Sequence, residues 1–112
     1  MLPLKNRLKK KKDFENVLKQ GKNIKGLIMY FKILKTREPE PRIGFIVSKK
    51  VSSKAVERNK VKRRMKEAAR SSLGLLKGGT DIVIIASPKI KEKSFEEIKE
   101  EMQKVFKNSD NV

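Results

Sequence analysis

The spacing of apolar positions along this chain changes several times, and each change marks a structural element. After the lysine run Lys9 to Lys12, Phe14, Val17 and Leu18 fall at helical spacing. Asp13 and Glu15 stand where carboxylates favour the positive end of a helix dipole, and Gly21 closes this short predicted helix. From Ile28 to Leu34, IMYFKIL alternates as a strand does, with Met29, Phe31 and Ile33 on the expected core face and Tyr30 and Lys32 on the other. A charged loop with two prolines, Thr36 to Pro41, leads into IGFIVS, Ile43 to Ser48, and the two runs are expected to pair as a hairpin. Gly44 removes a side chain from the face it shares with Ile46 and Ser48, so this face together with Tyr30 and Lys32 forms a shallow floor.

Lys54 to about Leu73 reads as the longest helix. Val61, Met65, Ala68 and Ser72 make a narrow inward stripe, Arg58 and Lys62 flank it, and Asn59, Arg63, Lys66 and Arg70 share the opposite face. The glycines of LGLLKGGTD stop that helix. The continuous apolar run Ile82 to Ala86 then suits a strand buried on both faces and ended by Pro88. Ser94 with Glu97 three residues on is a capping-box signature, and Phe95, Ile98, Met102, Val105 and Phe106 form one apolar stripe behind it. The order is helix, two or three strands, helix, strand, helix: a single-domain α+β sandwich over residues 1–112, with the ends MLPLK and NSDNV expected to be frayed.

Charge turns this fold reading towards function. Thirty Lys and Arg against 13 Asp and Glu give a formal net charge of +17 on 112 residues, and that self-repulsion is relieved by a polyanion that binds the folded state. Nucleic acid fits better than an anionic membrane, because no basic helix here has a broadly apolar opposite face. The chain has no Cys and no His, which removes disulfides, thiolate nucleophiles, the usual zinc sites and imidazole acid–base chemistry. The opening MLPLKNRLKKKKDF lacks the apolar stretch of a signal peptide, and nowhere do about 18 apolar residues run together, so a cytoplasmic protein is the expectation.

The densest positive charge lies in KKVSSKAVERNKVKRRMKEAAR, Lys49 to Arg70. Asn59, Arg63, Lys66 and Arg70 recur at helical spacing, with only Glu57 and Glu67 to compensate, and the 5.4 Å helical pitch is comparable to the phosphate spacing along a strand. Arginine adds forked contacts, and Asn59 can donate and accept toward a base edge or a 2′-hydroxyl. Phe14 and Tyr30 are candidate stacking platforms, with burial in the core the competing role for Phe14. Lys9 to Lys12 suit a phosphate-tracking arm or a solubilising tail. Glu57, Asp81 and Glu92 show no metal or acid–base spacing and are read as structural.

The stretch VSKKVSSKAVERNKVKRRMKE resembles the signature of the bacterial ribonuclease P protein family, in which a Ser-Lys-Lys strand end leads into a helix carrying an Arg-Asn-Arg/Lys motif. RLKKKKDFENVLKQGK, RIGFIVSKK and DIVIIASPK agree in order around it, so the resemblance covers nearly the whole chain. It implies an α-β-β-β-α-β-α order with a left-handed βαβ crossover, an exception to the usual hand. It also implies a motif helix of Arg58, Asn59, Lys60, Lys62, Arg63 and Lys66, which with Arg70 would meet the catalytic RNA. A cleft with Phe14, Tyr30 and Lys32, bordered by Lys49 and Lys50, would hold the 5′ leader of precursor tRNA. Leu18 and Lys32 stand where relatives commonly carry aromatics, so leader binding here is expected to rest more on charge than on stacking.

The function implied is that of a protein subunit, monomeric when free, of an endoribonuclease that trims precursor tRNA at its 5′ end. The chain offers no nucleophile and binds no cofactor itself. The chemistry would fall to the RNA subunit and its Mg²⁺. A ribosomal-type or general RNA-chaperone protein is the rival reading, separated by whether binding depends on the leader. A protein-only nuclease would need clustered carboxylates.

Overall fold

The computed structural model describes residues 2–109. A short 3-10 turn, Leu4–Asn6, precedes α1 (Lys11–Gln20), β1 (Lys22–Lys25), β2 (Met29–Lys35), β3 (Arg42–Ile46), α2 (Ala55–Ser72), β4 (Thr80–Ala86) and α3 (Phe95–Lys107), with further 3-10 turns at Leu73–Leu75 and Pro88–Glu92. The sheet runs β1-β2-β4-β3, antiparallel except for the parallel pair β3 and β4, which α2 connects. That connection is the crossover whose left hand the family resemblance implies.

Two apolar surfaces fix the layers. Met29, Phe31, Ile33, Ile43, Phe45, Ile82 and Ile84 face the stripes of α2 (Val61, Met65, Ala68) and α3 (Ile98, Met102, Phe106), and together they make the main core. On the other face Val83 is fully buried beneath Val17 and Leu8, with Phe14, Leu18, Leu34, Ile46 and Ile85 packed around them. The sheet and the α2/α3 pair are thus the two main layers, and α1 lies across the far face.

The expected hairpin between Ile28–Leu34 and Ile43–Ser48 does not form. All of β4 but the half-buried Ile85 is buried, with Val83 on one face and Ile84 on the other, which requires a central place, and β4 inserts between β2 and β3. The Thr36 to Pro41 loop instead spans the end of β4. Thr36 N–H donates to the Gly79 carbonyl at 2.8 Å and Gly79 N–H to the Glu38 carbonyl at 2.7 Å. Gly79 holds φ +77, a backbone conformation that disfavours a side chain. The true hairpin partner of β2 is β1, whose KNIK the hydrophobic pattern does not single out as a separate strand. The outer edge of β1 is open and carries exposed Lys22, Asn23 and Lys25.

The chain ends are more ordered than their composition suggests. Leu2 is buried in the core, Asn6 Nδ2 donates to the Pro41 carbonyl at 2.8 Å, and Leu8 N–H donates to the Ile43 carbonyl at 3.0 Å beside β3. At the other end Ser109 is buried, and its hydroxyl donates to the Phe106 carbonyl. Met1 and residues 110–112 of the expected frayed ends lie outside the described residues.

The predicted capping box closes α3: Glu97 N–H donates to Ser94 Oγ and Ser94 N–H to Glu97 Oε1, both at 3.1 Å. The Ser94 main-chain donor holds the Glu97 carboxyl below its usual range. Its stabilisation is therefore present above the ordinary glutamate range and is lost as pH falls through the lowered value. Further along α3, the Glu101 carboxylate accepts from three main-chain N–H groups of the β1–β2 turn, Leu27 (2.9 Å), Ile28 (3.0 Å) and Met29 (2.8 Å). Glu101→Ala leaves those donors without their acceptor and is expected to lower stability by about 1.5–3 kcal/mol in urea unfolding. An unchanged midpoint would show that water replaces the carboxylate at no cost.

Candidate nucleic-acid interface

The path from β3 into α2 is fixed before the helix begins. Val51 and Ser52 are buried, and Val51 N–H donates to the Ser48 carbonyl at 3.0 Å. Ser52 Oγ accepts from Lys54 N–H at 3.1 Å and donates to the Glu57 carboxylate, which Lys91 approaches at 3.4 Å. The Ser52 hydroxyl and then Lys91 hold Glu57 below the usual carboxylate range. Arg58 Nη1 donates to the carbonyls of Ser52 (3.0 Å) and Ser53 (2.9 Å). These contacts set the rotational phase of α2, and with it which side chains face outward.

Val61, Met65, Ala68 and Ser72 point inward as their spacing predicts. Asn59, Lys60 and Arg63 are exposed, and no acid among the described residues pairs with them. Lys66, expected on the open face, and Lys62, expected to flank the stripe, are both half-buried and line one hollow. Arg70 is exposed but paired with Glu67, and that contact pulls the Glu67 carboxyl down. Arg58 spends Nη1 on its own backbone. The free cation row is consequently shorter than the spacing suggests. Lys49 and Lys50 extend it, exposed in the turn after β3, where Lys50 N–H donates to Ser48 Oγ at 3.3 Å.

The hollow beside Lys62 and Lys66 measures about 250 Å³ and lies between α2, β3 and the segment before α1. Arg7 and Lys9 complete its cationic rim, and Phe14 forms part of its apolar wall. Arg7 was not singled out in the sequence. The signal for it was the apolar pair Leu2 and Leu8, which anchors this segment beside β3. Phe14 is half-buried over Gly44, where an added Cβ would sit 2.6 Å from Phe14 Cε1, so only glycine lets the ring settle onto the strand. Lys11 and Lys12 of the supposed arm belong to the first turn of α1 instead of a free tail.

Tyr30 lies on the same face of the sheet, beside Ile85 of β4, whose other neighbour is Ile46. It is 38% exposed and lines a hollow of about 260 Å³ with Asn23, Lys25, Lys32 and Ile85. Lys32 Nζ donates to the Leu18 carbonyl at 2.9 Å, capping the C-terminal end of α1 and leaving its other two N–H donors. The structure places Phe14, Tyr30 and Lys32 on one face of the sheet. It does not gather them in one hollow: Phe14 stands over β3, and Tyr30 is on β2, with β4 between. The three side chains thus border a band across the far face of the sheet, with α1 along its side. Among the described residues, no cluster of acids could hold a metal ion.

A cationic helix beside a half-covered sheet face is a shape that known proteins share. The ribonuclease P family profile matches residues 2–110. The chain belongs to the ribonuclease P protein family. It is 42% identical over 93 residues to the ribonuclease P protein component of Alkaliphilus metalliredigens, covering 83% of each chain. The component from Clostridioides difficile is 39% identical over 104 residues, covering 92% of this chain and 90% of its own length. The solved ribonuclease P protein of Thermotoga maritima superposes with a TM-score of 0.81 at 30% identity, over 91% of this chain and 96% of that one. The Staphylococcus aureus protein does so with 0.80 at 28%, over 91% and 93%. A ribonuclease P protein component is part of an endoribonuclease, has the ribonuclease P RNA as its partner, and serves tRNA 5′ processing. The α+β fold with its mixed four-stranded sheet is that of these relatives.

Proposed function

We propose that this ribonuclease P protein contributes binding and no reacting group. Asn59, Lys60, Arg63, Lys49 and Lys50 meet phosphates of the ribonuclease P RNA, with Arg58 and Arg70 bracing the ends of that surface. The band from Phe14 to Tyr30 and Lys32 takes the single-stranded leader of precursor tRNA. The observation that carries this reading is the juxtaposition of an unpaired cation row on α2 with a half-covered, aromatic-bearing sheet face whose two hollows no acid lines. Single strands are held by such a combination of stacking surface and cationic groove.

Hydrolysis then belongs to the RNA subunit and its Mg²⁺, and the protein lowers repulsion between two polyanions while orienting the scissile region. A cytoplasmic, monomeric free protein fits this role. Reconstitution with a bacterial ribonuclease P RNA at low Mg²⁺ tests it: adding the protein is expected to raise kcat/KM for leader-bearing precursor tRNA. Affinity is expected to be higher than for the same tRNA without its leader. Equal affinity for both would favour a general RNA-binding role, and cleavage by the protein alone would overturn the division of labour.

A further inference from the structure

The neighbourhood of Phe14 contains a device that RNA contact does not explain. Asp81 on β4 is 2% exposed, and Arg42 on the neighbouring β3 meets it with two parallel bonds, Nε to Oδ1 at 2.9 Å and Nη2 to Oδ2 at 2.7 Å. This fork fixes the plane of the guanidinium and leaves Nη1 directed away from Asp81. Nη1 donates to Asp13 Oδ2 at 3.3 Å, and Glu38 lies 3.7 Å away. Asp13 is in the first turn of α1, one residue before Phe14. Gly44, on which the Phe14 ring rests, is two residues after Arg42 on the same face of β3.

We propose that Arg42, oriented by Asp81 and gripping Asp13, is a positioning residue that sets the seat of Phe14 on Gly44 and so the depth of the leader-binding band. This rests on the leader-binding reading above. Among the described residues, α1 is held to the sheet by the Arg42–Asp13 contact at its N-terminal end, by Val17 with Phe14 and Leu18 around Val83 in the middle, and by Lys32 on the Leu18 carbonyl at the C-terminal end. The first is the polar contact that acts on the residue adjoining the aromatic ring. A lysine at position 42 would keep the charge but could not fork on Asp81 and reach Asp13 in a fixed plane.

The test is Asp13→Asn, which removes the charge that holds the tether to α1 and leaves the buried Arg42–Asp81 fork intact, compared with Asp13→Glu, Arg42→Lys and Phe14→Ala in the reconstituted holoenzyme. Thermal melts establish that each variant is folded. For substrate with a leader of about ten nucleotides, Asp13→Asn and Arg42→Lys are expected to raise KM about 3- to 10-fold with kcat little changed. The change should be absent with a leader of about two nucleotides, affinity for the RNA subunit should stay within about twofold of the parent, and Asp13→Glu should recover most of the loss. If Phe14→Ala shows the leader-dependent loss and Asp13→Asn and Arg42→Lys do not, the positioning role is overturned while leader binding stands. If Phe14→Ala also leaves leader dependence untouched, the leader-binding reading itself falls, and the positioning role with it.

Discussion

An Arg42→Leu variant is expected to lose about 3–5 kcal/mol of unfolding free energy, a large share of the roughly 5–15 kcal/mol that holds a domain of this size together. Asp81 has only 3% of its side chain exposed, and Arg42 supplies both of its side-chain hydrogen bonds. Removing the cation leaves a buried carboxylate without a partner, and that stranded group dominates the loss more than the Coulomb energy of the pair does. The Asp81 hydrogen bond, together with the charges of Asp81, Asp13 and Glu38, raises the Arg42 pKa against its partial burial, so the guanidinium stays charged at any accessible pH. Urea unfolding of the free protein measures the effect. Arg42→Leu combined with Asp81→Leu should recover much of the stability, because the double change removes both polar partners. A loss below about 1 kcal/mol in the single variant would show that the site is wetter than its burial indicates.

The second large effect concerns binding. Lys60→Ala with Arg63→Ala removes two exposed cations that no acid of the described residues compensates. The slope of log affinity for the ribonuclease P RNA against log salt is expected to become shallower by about 1.4–1.8, from 0.7–0.9 per phosphate contact. Affinity should fall most at low salt, with little change in melting temperature because neither side chain packs in the core. Arg70→Ala is the instructive comparison. Its guanidinium already has Glu67, whose release partly offsets the lost contact, so the slope should change by less than for Arg63. An unchanged slope in the double variant would place this face of α2 outside the RNA contact.

What could be read from the sequence and what could not divide along physical lines. The elements with one-sided patterns, α2, α3 and β2, were legible because a single buried stripe of Val61, Met65 and Ala68, or of Ile98, Met102 and Phe106, admits one phase only. Strand order was not legible. Local pattern says nothing of which strands are neighbours, and the adjacency of IMYFKIL and RIGFIVS in the chain suggested a hairpin that the doubly buried β4 displaces. The candidate site was legible as a set of cations on one helix. Its detail was hidden in long-range pairs: Arg58 with the carbonyls of Ser52 and Ser53, Lys32 with Leu18, and Arg42 with Asp13 and Asp81 across as many as 39 residues. Asp81 reads as structural in the sequence, and its buried place agrees with that. Its partner Arg42 does not stand out, because one arginine among 30 basic residues carries no sequence signal of its own.

The open rim of β1 has a consequence for how this chain behaves at high concentration. Two such rims meeting in antiparallel register would bring Lys22 and Lys25 of one copy against those of another, adding local repulsion to that of two strongly basic molecules. Fibril-like stacking is discouraged at the strand most available for it, and the same lysines stay free in water beside the band where RNA would pass.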